Sequence, residues 1–311
     1  MVAVVLGAVL GTPRLASAQT LERALRVTND NDYFNFWLRS TRRPDHDYTQ
    51  GLRVSWDVGR RWELARRFAC AEGELCASSL ELGQEMYTPN HDSVDPLPGE
   101  RPYAGWLYAR GDVRGGNARQ LKTIGLTAGI TGPASLAQQV QQRYHSLDKK
   151  KRQPLGWDHQ MQTELAFAAR AGQRWHLAPQ GAAATLVDLV PSVDASLGTL
   201  RTAMLAGARA RVGVNLPHPW LSAGSGSPLS LYGFIGAGSD FVARDLFLDG
   251  STFRQSERVD HAWVVPQWER GAGVAKGKLA VEYRAVSVGR EYTNGPRKHS
   301  WGSVKVLLGA R

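Results

Sequence analysis

Seven residues, Leu52 to Val58, alternate without interruption. Leu52, Val54, Trp56 and Val58 fall on one face of an extended chain, and Arg53, Ser55 and Asp57 fall on the other. Such a period of two belongs to a β-strand, whose successive side chains point to opposite faces. The pattern returns at Thr123–Ile130, Glu164–Ala171, Ala208–Gly213 and Lys278–Arg284, where Lys278, Glu282 and Arg284 oppose Leu279, Val281 and Tyr283. Charged side chains on the second face of so many strands are awkward in a sandwich. They suit a barrel with a polar lumen and an apolar outer belt. Trp56, Trp106, Tyr108, Trp175, Trp263, Trp268, Tyr283 and Trp301 are candidates for the aromatic girdles of such a barrel. The competing reading is a soluble all-β domain with ordinary core aromatics.

Twelve strands are expected, near 21–31, 47–58, 78–88, 101–113, 119–130, 162–175, 184–197, 199–213, 228–243, 260–272, 277–290 and 299–310. The fold class is therefore an all-β, transmembrane antiparallel barrel. An even strand number returns both termini to one side, the periplasm for an exported barrel. The connections at 32–46, 89–100, 131–161, 244–259 and 291–298 then lie outside. Ala134–His145, within the third of these, lacks Gly and Pro and is expected to form a short helix.

Residues 2–11 form an apolar run too short to span a bilayer, followed by the small-residue cleavage pattern Ala16-Ser17-Ala18. Residues 1–18 are expected to be a signal peptide and 19–311 a single barrel domain. No later stretch is apolar for 18 residues, so no transmembrane helix is expected. Losing Arg14 with the leader lowers the formal net charge from +10 by one, to +9. For an exported chain that excess points to an anionic lipid surface and away from nucleic acid. Cys70 and Cys76, the only cysteines, are free to form a disulfide after export.

Polar clusters collect at the expected outer ends. The first strand runs into Asn29-Asp30-Asn31-Asp32, and Asp47-Tyr48-Thr49-Gln50-Gly51 leads into the second. Gly83-Gln84-Glu85-Met86-Tyr87-Thr88-Pro89 ends the third, and Arg101-Pro102-Tyr103-Ala104-Gly105-Trp106-Leu107-Tyr108 opens the fourth. Ile130-Thr131-Gly132-Pro133 begins the helical loop, in which Gln141 and His145, four apart, share a helix face. Gly156-Trp157-Asp158-His159-Gln160 closes it. Gln84 and Glu85 are expected to line the lumen. Ester hydrolysis needs an activated nucleophile and a stabilised oxyanion. Histidine is the natural base near neutral pH, and Asp and Asn oxygens suit a hard cation such as Ca²⁺. No G-x-S-x-G elbow is present, so a serine-hydrolase reading lacks its signature.

Over nearly the whole mature chain these motifs together resemble the outer-membrane lipid A 3′-O-deacylases. The resemblance implies a 12-stranded barrel acting as a Ca²⁺-dependent esterase at the outer leaflet, with lipid A of the lipopolysaccharide as substrate. It implies His145 as general base, with Asn29, Asp30, Thr49 and Gln141 around the reacting ester. Asp30 and Asp32 are expected as metal ligands. Members of the family can use a lysine after the third strand; residues 90–99 contain none. Either Arg101 substitutes or that role is absent, and Lys149, Lys150, Lys151 and Arg152 are expected to contact the substrate's phosphates. The Asn-Asp pair repeats at Asn31-Asp32; Asn29-Asp30 is preferred because Val27 then holds the preceding apolar position. The chain is expected to act as a monomer in the outer membrane. Two rival readings are a phospholipid acylhydrolase on the same barrel and a non-catalytic barrel or porin with a degenerate site.

Overall fold

In a computed structural model that describes residues 24–35, 46–59, 67–72, 74–147, 153–221 and 226–309, twelve antiparallel strands close on themselves. They are β1 (Ala24–Asn31), β2 (Asp47–Gly59), β3 (Leu75–Thr88), β4 (Ala104–Gly116), β5 (Gln120–Thr131), β6 (Leu165–Trp175), β7 (Val187–Gly198), β8 (Arg201–Val214), β9 (Ser230–Asp245), β10 (Val264–Lys276), β11 (Leu279–Gly289) and β12 (Lys298–Gly309). Each strand pairs with its sequence neighbours, and β1 pairs with both β2 and β12, so the sheet has no free edge. The bounds lie within four residues of those expected, residues 21–23 and 310 falling outside the described chain. The expected signal peptide and the run Lys149–Arg152 also fall outside it.

The alternation assigns the two faces. Leu25, Leu52, Leu82, Leu126, Leu165, Phe167 and Ile235 stand exposed around the outside. Between them, the inward side chains pair their charges. Arg26 and Arg114 share Asp57, Arg170 meets Asp194, and Arg209, Glu269, Glu282 and Lys305 form a continuous network. Charges enclosed by a barrel wall are tolerable when paired in this way. Among the described residues no helix is long and apolar enough to cross a membrane.

Apolar side chains fill the mouth of the lumen at the long-loop end. A helical turn at Leu246–Asp249, between β9 and β10, buries Leu246 and Phe247 against Ala104, Trp106 and Tyr108. Phe247 stacks on Tyr87 at 4.5 Å between ring centroids. Trp106 and Tyr108 therefore belong to this inner cluster and not to an outer girdle, and Trp301 likewise packs inside on Tyr48 and His299. Trp175, Trp263 and Trp268 do stand exposed. At the opposite end Cys70 and Cys76 are joined.

Candidate active site

The expected loop helix is present as α1 (Ala137–Ser146), one turn later than its expected start. A 3-10 turn at Gly132–Ser135, opened by Pro133, takes up the first residues. Ala137, Gln141 and His145, spaced by four, are its buried stripe. The stripe docks on the outside of the barrel wall. Gln84 and Met86 alternate with the inward Glu85 and Tyr87, and the Gln84 side chain donates to the Ser135 carbonyl at 2.7 Å. Met86 is buried with Tyr103, Ala137 and Trp157. Gln84 thus faces the loop and not the lumen, whereas Glu85 does lie inside, where Tyr87 and Tyr108 donate to it. Gly105, beside Met86 in the next strand, makes the close approach possible. A Cβ there would lie 2.1 Å from Ser135 Oγ and 2.4 Å from Ala137 Cβ. Trp157 Nε1 donates to Gln141 Oε1 at 2.6 Å, which fixes the amide with its oxygen occupied.

On the same outer face, Asn29 stands in one register row with Leu52 and Gln84. Two strand spacings separate Asn29 from Gln84, about 10 Å. Its Oδ1 is buried and has no hydrogen-bond partner among the described residues. Asn31 shares that face, but its Oδ1 caps Tyr33 N at 2.8 Å. Of the two Asn-Asp pairs, only the first therefore offers a free amide oxygen. Thr49 sits at a bulge where the register of β2 on β3 slips between Tyr48 and Gln50. It is buried, and its hydroxyl lies 2.7 Å from that of Thr88, which shares the outer parity of Met86.

Alternation sends Asp30 the other way. Tyr48 Oη donates to its Oδ2 at 2.9 Å, and Arg53 pairs with the same oxygen. Gly51 leaves room for the Tyr48 ring, since a Cβ there would meet Tyr48 Oη at 1.9 Å. Asp30 is thus a lumenal group that ties β1 to β2. Its Oδ1 is also buried without a hydrogen bond, but one ion cannot take both that oxygen and Asn29 Oδ1 across a paired strand. The expectation that all the polar groups meet on one side fails here, because adjacent strand residues point to opposite faces. Asp32 lies buried in the 3-10 turn after β1, with His46 N–H directed at its Oδ2 at 3.4 Å. That turn folds over the outer face of β12, where Phe34 O accepts from Tyr283 Oη.

Arg101 is also displaced from its expected place. It is 2 % exposed, 3.7 Å from Asp47 and 3.5 Å from Glu291, and lies over the Tyr87 ring. Two carboxylates and an aromatic face hold it in the mouth of the lumen, so it does not present its charge to a headgroup outside. Enclosure raises the Glu291 carboxyl to about 7, although Arg101 opposes this.

Two partners of the site and one neighbouring group escaped the sequence reading. The Trp157 bond and the Thr88 hydroxyl lay inside quoted motifs without a role. The group His46, Asp47 and His299, whose ligand atoms lie within 4.8 Å of one another and could hold a metal ion, joins residues some 250 positions apart. No local spacing could have signalled it.

The model of a protein family described as "Outer membrane protein LpxR" matches residues 1–309. Among solved structures, LpxR from Salmonella typhimurium superposes with a TM-score of 0.75 at 18% identity, covering 92% of this chain and 100% of that one. The β domain of the Bordetella autotransporter BrkA follows at 0.47, with 11% identity over 93% of this chain and 99% of its own. None of the curated proteins matches.

Proposed function

The chain belongs to the outer membrane protein LpxR family, and from that premise we propose that it is an outer-membrane carboxylic ester hydrolase. It removes the 3′-linked acyloxyacyl group of lipid A at the outer leaflet. The observation that supports this reading is the docking of α1 on the outside of the wall. Its buried stripe carries Gln141 and His145, and the neighbouring outer face carries Asn29 with an unpartnered oxygen. A lipid reaches that side of a barrel directly. The aromatic and aliphatic filling of the lumenal mouth argues against an open porin.

In this reading His145 accepts a proton from a water as that water attacks the ester carbonyl carbon. It then returns the proton to the sugar oxygen as the C–O bond breaks. Gln141, held by Trp157, sets the helix face, and the Thr49–Thr88 pair orients the substrate beside it. Asn29, with Asp32 in the turn that follows the same strand, supplies hard oxygen donors for Ca²⁺. When bound, Ca²⁺ polarises the carbonyl and stabilises the negative charge that develops on its oxygen. Asp30 acts indirectly, by fixing β1 against β2 through Tyr48 and Arg53.

The test is mass spectrometry of products after the purified chain meets lipid A and, separately, phospholipid. Loss of the 3′ acyloxyacyl mass from lipid A, dependent on Ca²⁺, is expected. Fatty acid release from phospholipid alone would instead identify a phospholipid acylhydrolase, and no release from either would leave a non-catalytic barrel.

A further inference from the structure

The geometry points to a second cation site, separate from the wall face: His46, Asp47 and His299, at the mouth of the lumen, bind a divalent ion of the zinc class. His299 is 2 % exposed. One of its ring nitrogens, Nε2, lies 3.1 Å from the Tyr48 carbonyl oxygen. A carbonyl can only accept, so Nε2 carries the hydrogen, and in the neutral ring the lone pair sits on Nδ1. That atom is buried with no hydrogen-bond partner, and it faces Asp47 Oδ2 at 4.0 Å. A nitrogen lone pair aimed at a carboxylate oxygen across a gap too long for a hydrogen bond is unfavourable unless a cation lies between them. An imidazole whose far N–H is bonded to a backbone carbonyl is also the arrangement that orients a metal-bound histidine.

The other two ligands are placed to match. Tyr292 Oη donates to Asp47 Oδ1 at 3.3 Å and Arg101 stands 3.7 Å from that oxygen, so Oδ2 is the oxygen left for the gap. His46 Nδ1 lies 3.0 Å from Oδ2, with its ring centroid 5.0 Å from that of His299. Entry of an ion transfers the Nδ1 hydrogen of His46 to Nε2, a change of tautomer with no net proton gained or lost. Arg101 adds an unfavourable positive charge, but it is shared with Glu291 at 3.5 Å.

Two imidazole nitrogens and one carboxylate oxygen, with water as the fourth ligand, suit Zn²⁺ and its first-row neighbours. Ca²⁺ takes six or more oxygens and is poorly served here. The ion would join the beginning of β2 to the beginning of β12, the two strands that flank β1. It would therefore clamp the strand that carries Asn29 from the lumenal side, with the His46 N–H directed at Asp32 as its contact with the proposed Ca²⁺ donors.

The experiment uses the untagged full-length barrel in detergent, stripped with chelator and titrated with Zn²⁺ by calorimetry, with Co²⁺ as a spectroscopic substitute. One equivalent of Zn²⁺ per chain is expected, not displaced by excess Ca²⁺, together with Co²⁺ absorption of a tetrahedral nitrogen–oxygen site. His299→Ala and His46→Ala should each weaken Zn²⁺ binding at least ~10-fold, the lower end of what outer-shell changes alone cost. His145→Ala should leave it unchanged. Heat-modified gel mobility reports whether each variant still forms the barrel. If His299→Ala does not, His46→Ala, at the residue just before β2, decides the matter. Parental affinity in a folded His46 or His299 variant would overturn the site, as would no uptake by the parent, or loss of the ion in His145→Ala.

Discussion

Gly105→Ala tests whether the proposed deacylase activity rests on the docking of α1 and not merely on the presence of His145. The added Cβ would lie 2.1 Å from Ser135 Oγ, 2.4 Å from Ala137 Cβ and 3.2 Å from Ser135 Cβ. Ser135 Oγ cannot simply rotate away, because it donates to Gly132 O at 2.6 Å and accepts from Ala137 N. The helix must move. Overpacking of this kind costs about 1–3 kcal/mol, and 2 kcal/mol is roughly a 30-fold change in the docked population. If α1 stays docked but shifts by ~1 Å, misplacement of the reacting groups costs on the order of 10²-fold. Deacylation by the variant should therefore fall roughly 10- to 100-fold. The barrel should remain folded by heat-modified gel mobility, since the clash lies outside its wall. Hydrogen exchange of the α1 amides should speed up. Gly233→Ala is the control, as its Cβ would meet only Gly271 O at 3.7 Å. Parental turnover by Gly105→Ala with unchanged protection of α1 would refute the claim that wall contact positions the helix that carries His145.

The remaining expectations follow from single groups. His145→Ala should lower deacylation by roughly 10²–10⁴-fold, the ordinary worth of a general base, with gel mobility unchanged; near-parental rates would remove it from that role. Asn29→Ala should raise the Ca²⁺ concentration needed for half-maximal activity more than Asp30→Asn does. Asp30→Asn should mainly lower the unfolding temperature by loosening its ties to Tyr48 and Arg53; the opposite order in calcium titrations would return the cation to the lumenal side. His218, in the β8–β9 turn, is held down to about 4 by burial, its Nε2–H donating to Ala118 O and its Nδ1 accepting from Leu221 N. A base with a lowered folded pKa stabilises the fold fully above its unfolded value near 6.5 and loses that contribution as pH falls towards 4. Exchange of the 215–221 amides should rise over that window, and His218→Ala should flatten the profile. Neutralising Lys149–Arg152 should raise KM for phosphorylated lipid A more than it lowers kcat, and the mutant and parent should converge on dephosphorylated substrate; an equal loss on both would show that the run only orders its loop.

Much of the fold was legible because a barrel writes its architecture as a period of two, and the pattern survives even where each strand is weakly hydrophobic. The same period could have separated Asn29 from Asp30, since neighbours in a strand cannot share a face. Grouping them as one cluster overlooked the constraint that had identified the strand. Arg101 was misplaced for a different reason. Its partners, Asp47 and Glu291, come from the opposite side of the closure, and which charges meet inside a barrel depends on register around the whole circumference. The Gln141–His145 spacing was legible because a helix repeats locally. Its orientation against the wall was not, because that rests on the missing side chain of Gly105 and on Trp157 reaching back across the loop.

The division of labour along β1 explains how the proposed site can stand on so thin a support. A strand at the closure of a barrel is paired on both sides, so its backbone is held by β2 and β12 and its inward side chains are free to add further ties. Thr28 and Asp30 face the lumen with Arg26, and two of the three have charged partners there: Arg26 with Asp57, and Asp30 with Arg53. Asn29, on the outward face, then needs no structural side-chain bond of its own. Asn29 can leave its oxygen unpaired for a ligand because the cost of that vacancy is met on the opposite face of the same strand. Removing Asp30 should therefore harm the outer face through backbone disorder, whereas removing Asn29 should harm it through chemistry alone. The two defects separate by whether added Ca²⁺ restores activity: saturating cation should recover Asn29→Ala in part and leave Asp30→Asn where it was.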